Sequence, residues 1–237
     1  MDRNEEVKIE SYFQARQINE DYYNEGILPL YLRQELPSNK NAKILDIGCG
    51  LGQTLGQLRQ AGYTELTGID ISNEAIRACE KKNLSVFKVI DITEFEPAVK
   101  YDFAIMSHVL EHLDKNMVIA TLSHIKNSLL NANGKLIVMV PNAQSPSGTY
   151  WAFEDFTHNT LFTAGSLLYV LQSAGFKNVT FIDQDGFLEV KGVKKIIKKA
   201  LLNIYIAKQR IRFIATGATF HRPSPVIYTW EIKVLAS

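Results

Sequence analysis

The sequence predicts an α/β fold: a mostly parallel sheet with helices on both faces. Three observations carry this. Short apolar runs alternate with stretches of helical periodicity along most of the chain. The first such run ends in a glycine cluster that opens directly into a helical pattern. The length, 237 residues with 46% hydrophobic and 22% charged side chains, suits one large globular domain.

The elements follow in order. The first forty residues are rich in charges and aromatics (Tyr12, Phe13, Tyr22, Tyr23, Tyr31) and are expected to form an N-terminal helical cap over 1–40. Lys43 to Ile47 reads as the first strand, ended by Gly48-Cys49-Gly50-Leu51-Gly52, after which Leu51, Leu55 and Leu58 recur at helical spacing. Leu66 to Asp70 is a second strand, and Ser72 is placed to cap the helix carrying Ala75, Ile76 and Cys79. Val86 to Ile90 is a third strand ending at Asp91, and Tyr101 to Met106 a fourth. A helix over about 116–130 leads through Gly134 to a fifth strand, Leu136 to Val140, stopped by Pro141. A helix over 163–174, capped by Gly175, precedes a sixth strand, Val179 to Ile182, and Val226 to Val234 closes the chain as a β-rich run. Residues 41–237 then form the main domain, with a loop insertion at about 141–162 and a basic helical insertion at about 186–222.

Ligands of such a sheet bind outside the C-terminal ends of the strands, beside the first. There the spacing of Gly48 and Gly50 lets the backbone turn and approach a ligand. A dinucleotide fingerprint needs a further glycine where this chain has Gln53. Asp46, just inside the strand end, would repel a pyrophosphate but suits a cofactor bearing an ammonium and a sulfonium. Both features disfavour a nicotinamide dehydrogenase. Asp70 ends the second strand, where an acid can accept both ribose hydroxyls, with Ile71 next to it. Asp91 is placed to accept from an adenine amino group while Ile92 packs on the ring. Three successive strands ending in Asp46, Asp70 and Asp91 form a constellation, although each could also be a turn or cap aspartate.

The run 44–52 resembles motif I of class I S-adenosylmethionine-dependent methyltransferases, and Gly68-Ile69-Asp70 resembles their second motif. Residues 101–113 resemble the fourth-strand segment and Asn133-Gly134-Lys135-Leu136 the turn before the fifth strand. The resemblance covers about residues 40–185. It implies a Rossmann-like methyltransferase fold, a seven-stranded mostly parallel sheet with an antiparallel last strand, and S-adenosyl-L-methionine as cofactor. It places Asp46, Gly48, Cys49, Gly50, Asp70, Ile71, Asp91, Ile92, Ser107 and His108 at the cofactor.

The segment Asp155-Phe156-Thr157-His158 resembles a bacterial subset associated with surface-polysaccharide biosynthesis. By that resemblance His158 is expected as general base, with Asp155 orienting it or binding a substrate hydroxyl. The alternative is that Asp155 caps a turn and His158 packs against the sheet edge. His108, Glu111 and His112 formally match a zinc motif, read as coincidence. They are also comparable to the ubiquinone-type O-methyltransferases, whose acid at the first position is His108 here. No metal is therefore expected. Ser107 and His108 are read as lining the methionine end, with Glu111 and His112 organising the loop. His124 reads as packing, and His221-Arg222-Pro223 as a turn or an anion contact.

The acceptor expected is a sugar hydroxyl of a surface glycan or its precursor. A small aromatic or quinone-like hydroxyl is the alternative, and a non-catalytic cofactor-binding regulator is a third. Nucleic acid is disfavoured by a net charge of +1 and by Ser-His where base methylators carry an Asn/Asp-Pro-Pro motif. Two cysteines, Cys49 and Cys79, read as reduced thiols. The charged N-terminus lacks a signal peptide, and no apolar run nears the ~18 residues of a membrane span. A cytoplasmic protein is expected. From Lys191 to Arg212 cations accumulate beside apolar residues at helical spacing, which is either a lid packed on the domain or a peripheral contact with the inner face of the membrane.

Overall fold

A computed structural model describes residues 12–18, 26–219 and 224–237. Tyr22, Tyr23 and the His221-Arg222-Pro223 turn lie outside the described residues. Among those described, seven strands form one sheet: β1 (Ile44–Ile47), β2 (Leu66–Asp70), β3 (Val86–Lys88), β4 (Tyr101–Ser107), β5 (Leu130–Pro141), β6 (Val179–Ile182) and β7 (Glu231–Ala236). Their order is β3-β2-β1-β4-β5-β7-β6. β1 to β5 pair in parallel, and β7 runs antiparallel to both β5 and β6. The Rossmann-like methyltransferase fold is therefore present.

The central strands alternate their side chains between two cores, as a pleat of period two requires. Leu45 and Ile47, Ala104 and Met106, Leu136 and Val138 enter one core with Leu122, Leu167 and Leu171. Ile44, Phe103, Ile105, Ile137 and Met139 enter the other with Leu32 and Leu58. A strand buried on both faces reads as a continuous apolar run, which is why 44–47 and 136–140 were visible in the sequence.

The helices are α1 (Tyr12–Ala15), α2 (Leu30–Glu35), α3 (Gln53–Gln60), α4 (Asn73–Lys81), α5 (Val118–His124), α6 (Gly148–Glu154), α7 (Ala164–Ser173) and α8 (Gly192–Thr216). Ser72 caps α4 through the Ala75 amide, and Thr163 caps α7 in a reciprocal box with Ser166. Several boundaries differ from expectation. The helix expected to run to residue 130 ends at His124 and passes through a π turn, Ile125–Leu129, into a β5 that begins at Leu130. The third strand stops at Lys88. The last strand begins at Glu231, and before it Asn142 Nδ2 donates to the Ile227 and Thr229 carbonyls, tying that stretch to the end of β5. His124 bonds the Phe95 carbonyl, a packing role.

The long crossover after β5 is closed at its base. Asn142 bridges Phe162 and the Ala143 amide donates to the Phe162 carbonyl, so α6 and residues 155–160 project as one loop above the strand ends.

Candidate active site

The glycine loop follows β1 and is folded against β2: the Gly48 and Cys49 amides both donate to the Ile69 carbonyl, at 2.8 and 3.0 Å. Gly48 and Gly50 have φ of 71° and 52°, a region that favours glycine. A Cβ on Gly48 would also collide with the Val109 side chain. Asp46 is 2% exposed and its Oδ2 has no hydrogen-bond partner among the described residues. Burial, and then the charge of Asp70, push its carboxyl up to about 8. Asp70 accepts from the Gly50 amide (2.9 Å) and the Ser72 amide (2.8 Å). Its burial outweighs these bonds, so its pKa also lies above the usual value. Asp91 caps the short 3₁₀ turn Ile92–Glu94 by accepting from the Thr93 amide and hydroxyl, and Ile92 packs on the core. Cys49 is buried, and a hydrogen bond with Cys79 together with burial pushes its thiol far up, away from nucleophilic use.

Next to this loop, β4 ends in Ser107 and His108. His108 has φ 54° and its ring lies between two carboxylates, Nδ1 at 3.2 Å from Glu111 Oε1 and Nε2 at 2.9 Å from Glu231 Oε1. It stacks on Trp230 with ring centroids 5.6 Å apart. Burial lowers its pKa, but the two glutamates outweigh that and raise it to about 10, so the ring is an imidazolium. Glu231 in turn also holds Lys233 at 3.2 Å, and its pKa stays low despite burial.

Glu111 is fully buried, and its Oε2 has no partner among the described residues. Its backbone carbonyl accepts from the Asn159 and Thr160 amides, which pins the distal loop over β4. His158 places Nδ1 2.7 Å from the Trp151 carbonyl and Nε2 3.9 Å from Glu111 Oε1. His112 places Nδ1 2.8 Å from Thr157 Oγ1, and its ring lies 4.7 Å from that of His158. A carbonyl only accepts, so His158 carries its proton on Nδ1. Thr157 Oγ1 donates to Asp155 Oδ1 (2.6 Å), so His112 must donate to it from Nδ1 as well. In the neutral form of each ring Nε2 keeps a lone pair, and one ligand atom each from Glu111, His112 and His158 lies within 4.8 Å of the others. Burial lowers the pKa of His112 and keeps it neutral.

Asp155 turns elsewhere. Its carboxylate takes the Tyr12 hydroxyl (2.6 Å), Thr157, and Arg16 (3.3 Å). Burial would raise its pKa, but the Thr157 and Tyr12 bonds win and hold it at about 2. It is joined to His112 through Thr157, whereas the ring of His158 is oriented by Trp151.

A family model described as a methyltransferase domain matches residues 17–180. The chain belongs to the methyltransferase-domain family. This methyltransferase shares its fold with an S-adenosylmethionine-dependent methyltransferase from Archaeoglobus fulgidus at 22% identity, covering 99% of both chains with a TM-score of 0.61. A similar match is a Thermotoga maritima S-adenosylmethionine-dependent methyltransferase, described as a possible histamine N-methyltransferase (15% identity, 98% and 94% covered, TM-score 0.57). Another is phosphoethanolamine N-methyltransferase 2 from Haemonchus contortus bound to S-adenosyl-L-methionine (16%, 97% and 60%, 0.60). No curated protein matches the chain.

S-adenosylmethionine is the expected methyl donor of a methyltransferase domain, and the residues of the cleft suit it. A buried carboxylate oxygen without a partner, beside a loop kept open by glycines, fits a cationic ligand and would penalise an anionic one. Glu231, Trp230 and the Tyr12/Arg16 pair were not foreseen. Glu231 lies 123 residues from His108 in the chain, and a glutamate opening a strand carries no local signal.

Proposed function

We propose that the methyltransferase methylates a hydroxyl of a sugar in a surface glycan or its precursor, on the cytoplasmic side of a membrane, with His158 as general base. The observation that carries this reading is the hydrogen bond of His158: Nδ1 donates to Trp151, which leaves Nε2 of the neutral ring to take a proton. Bound S-adenosylmethionine supplies a methyl group already activated on a sulfonium, so the protein has to align the acceptor and remove one proton. Asp46 answers the positive end of the cofactor. Asp70 keeps lone pairs for the ribose hydroxyls beyond its two amide bonds, and Asp91 with Ile92 meets the adenine. The backbone of Gly48, Cys49 and Gly50 would hold the cofactor, with Ser107 and His108 serving its methionine end and Ile71 its ribose.

The acceptor hydroxyl passes its proton to His158 Nε2 as its oxygen takes the methyl group, and the Glu111 carboxylate 3.9 Å away steadies the imidazolium formed. Trp151 and Trp230, 5.3 Å apart, with Tyr150 against Trp151, supply aromatic surface for the C–H faces of a sugar, while nearby carboxylates suit its hydroxyls. His158→Ala should lower turnover by about 10²–10⁴-fold while leaving S-adenosylmethionine affinity within a factor of about two, read by calorimetry alongside a methyl-transfer assay on sugar acceptors. Unchanged turnover removes His158 from the reaction.

A second reading is favoured by the convergence of Glu111, His112 and His158. These residues fit a divalent ion, which would act as a Lewis acid toward a small aromatic or quinone-like hydroxyl. Activity abolished by chelation and restored by magnesium or manganese would select it. Cofactor binding with no turnover on any sugar or phenol would instead support a regulator.

A further inference from the structure

From the geometry of α8 we infer that this helix is a docking surface for an anionic lipid bilayer. The contact stands on the helix itself and does not depend on which acceptor is methylated. α8 runs for 25 residues, about 37 Å, and buries none of its side chains. Only Leu202, Tyr205, Ile206, Gln209 and Phe213 are half-buried, and their spacing puts them on one face, the face turned to the domain where Tyr205 meets Tyr228. The opposite face is apolar and open: Val193, Ile197, Ile204, Ile211 and Ile214 recur along it, with Ile204 65% and Ile214 82% exposed. A domain-facing stripe, the arrangement of the lid reading, thus leaves this second apolar face open.

The charges commit the occupant. Seven cations and no acid lie within α8. Lys194, Lys198 and Arg212 border one side of the open stripe, and Lys199 and Arg210 the other. An apolar stripe between two rows of cations is the pattern of a helix lying in a bilayer surface, its side chains in the acyl boundary and its ammonium groups among lipid phosphates. Among the described residues no helix is long and apolar enough to cross a membrane, so α8 lies on it. A second copy of the chain is a poor occupant, since pairing two such stripes would bring cation against cation with no acid to neutralise them.

The placement has a consequence for the reaction. β6 runs parallel to β5, and the chain re-enters the sheet at Glu231, opposite Pro141. α8 is therefore inserted at the edge of the sheet that carries His108 and the 155–160 loop. A bilayer on α8 holds this edge close to lipid, where an acceptor on a lipid carrier would be presented.

The test is sedimentation of the full chain with vesicles of phosphatidylcholine alone and of an equal mixture with phosphatidylglycerol, at low and high salt. Binding is expected on the mixed vesicles only, weakening with salt. The triple variant Ile197→Ser/Ile204→Ser/Ile211→Ser should bind at least about tenfold more weakly, with S-adenosylmethionine affinity unchanged as the check on folding. Lys194→Gln/Lys198→Gln/Lys199→Gln should also weaken binding and flatten its salt dependence. No binding of the wild type to mixed vesicles at low salt overturns the inference. So does wild-type binding by the isoleucine variant, which would leave only unspecific charge attraction, or a dimer that the isoleucine variant abolishes while vesicles stay unbound. Sugar methylation is read separately, so either proposal can fail without the other.

Discussion

Asp46 is held in the protonated form by burial and by the neighbouring charge of Asp70. Its carboxyl titrates at about 8 in the folded chain against 3.8 in the unfolded one. The folded state therefore keeps the proton longer, and the stability this residue contributes is present below about pH 4 and lost as pH rises through 8. A sulfonium or ammonium beside it favours the carboxylate, so binding the cofactor expels a proton. S-adenosylmethionine affinity should rise with pH up to about 8, approaching tenfold per unit below it, and level off above. Calorimetry at pH 7 in buffers of different ionisation enthalpy measures the proton released. A flat profile with no release would mean that the cation lies elsewhere. The sequence placed Asp46 at this strand end correctly because the strand and the glycine turn are both local. Glu111, three residues from His108, was in view, but nothing local signalled that Glu231, 123 residues away, would close on the other side of the ring.

At the scale of elements, α1 and the Arg16 that follows it are fastened to the loop above the strand ends through the side chains of Tyr12 and Arg16. Tyr12 and Arg16 meet Asp155, and Phe13 lies 3.7 Å from where a Cβ of Gly50 would stand, so one short helix touches both the cofactor loop and the acceptor loop. Tyr12→Phe removes a bond to a carboxylate, about 1 kcal/mol at a partly exposed site. Proteolysis within the N-terminal segment should quicken several-fold with little change in global melting, and limited trypsin digestion reads it. Equal digestion rates would show that Phe13 and the rest of the segment hold α1 unaided. A tighter constraint acts on the glycine loop. Gly48→Ala meets both an unfavourable φ and the Val109 side chain. It should lower S-adenosylmethionine affinity by at least about tenfold, since strain of roughly 1–3 kcal/mol must be relieved by moving the loop. Wild-type affinity by calorimetry would show that Val109 yields freely. Helical periodicity made α8 legible in advance, but which of its faces stays open depends on the shape of the domain beneath it.

Over the whole molecule, stability rests on β4 and β5, whose alternating side chains fill two cores at once. Ile105 is fully buried in the middle of the sheet, and Ile105→Ala should cost about 2–5 kcal/mol in urea unfolding. A loss below about 1 kcal/mol would mean that the core closes over the gap. The strands, the glycine turns and the strand-end positions of Asp46 and Asp70 could be read from the residues because each depends on neighbours within a few positions, whereas Asp91 lies beyond the end of β3 and caps a turn. The resemblance to methyltransferases supplied the antiparallel seventh strand on the same local evidence. The Glu231 side of the pair around His108, the contact of His112 with Thr157, and the attachment of Asp155 to Tyr12 were not legible, because each joins segments that share no sequence neighbourhood. The sheet order β1-β4-β5-β7 carries those segments to one edge, and the energy of a buried carboxylate depends on what that edge brings within a few ångströms of it.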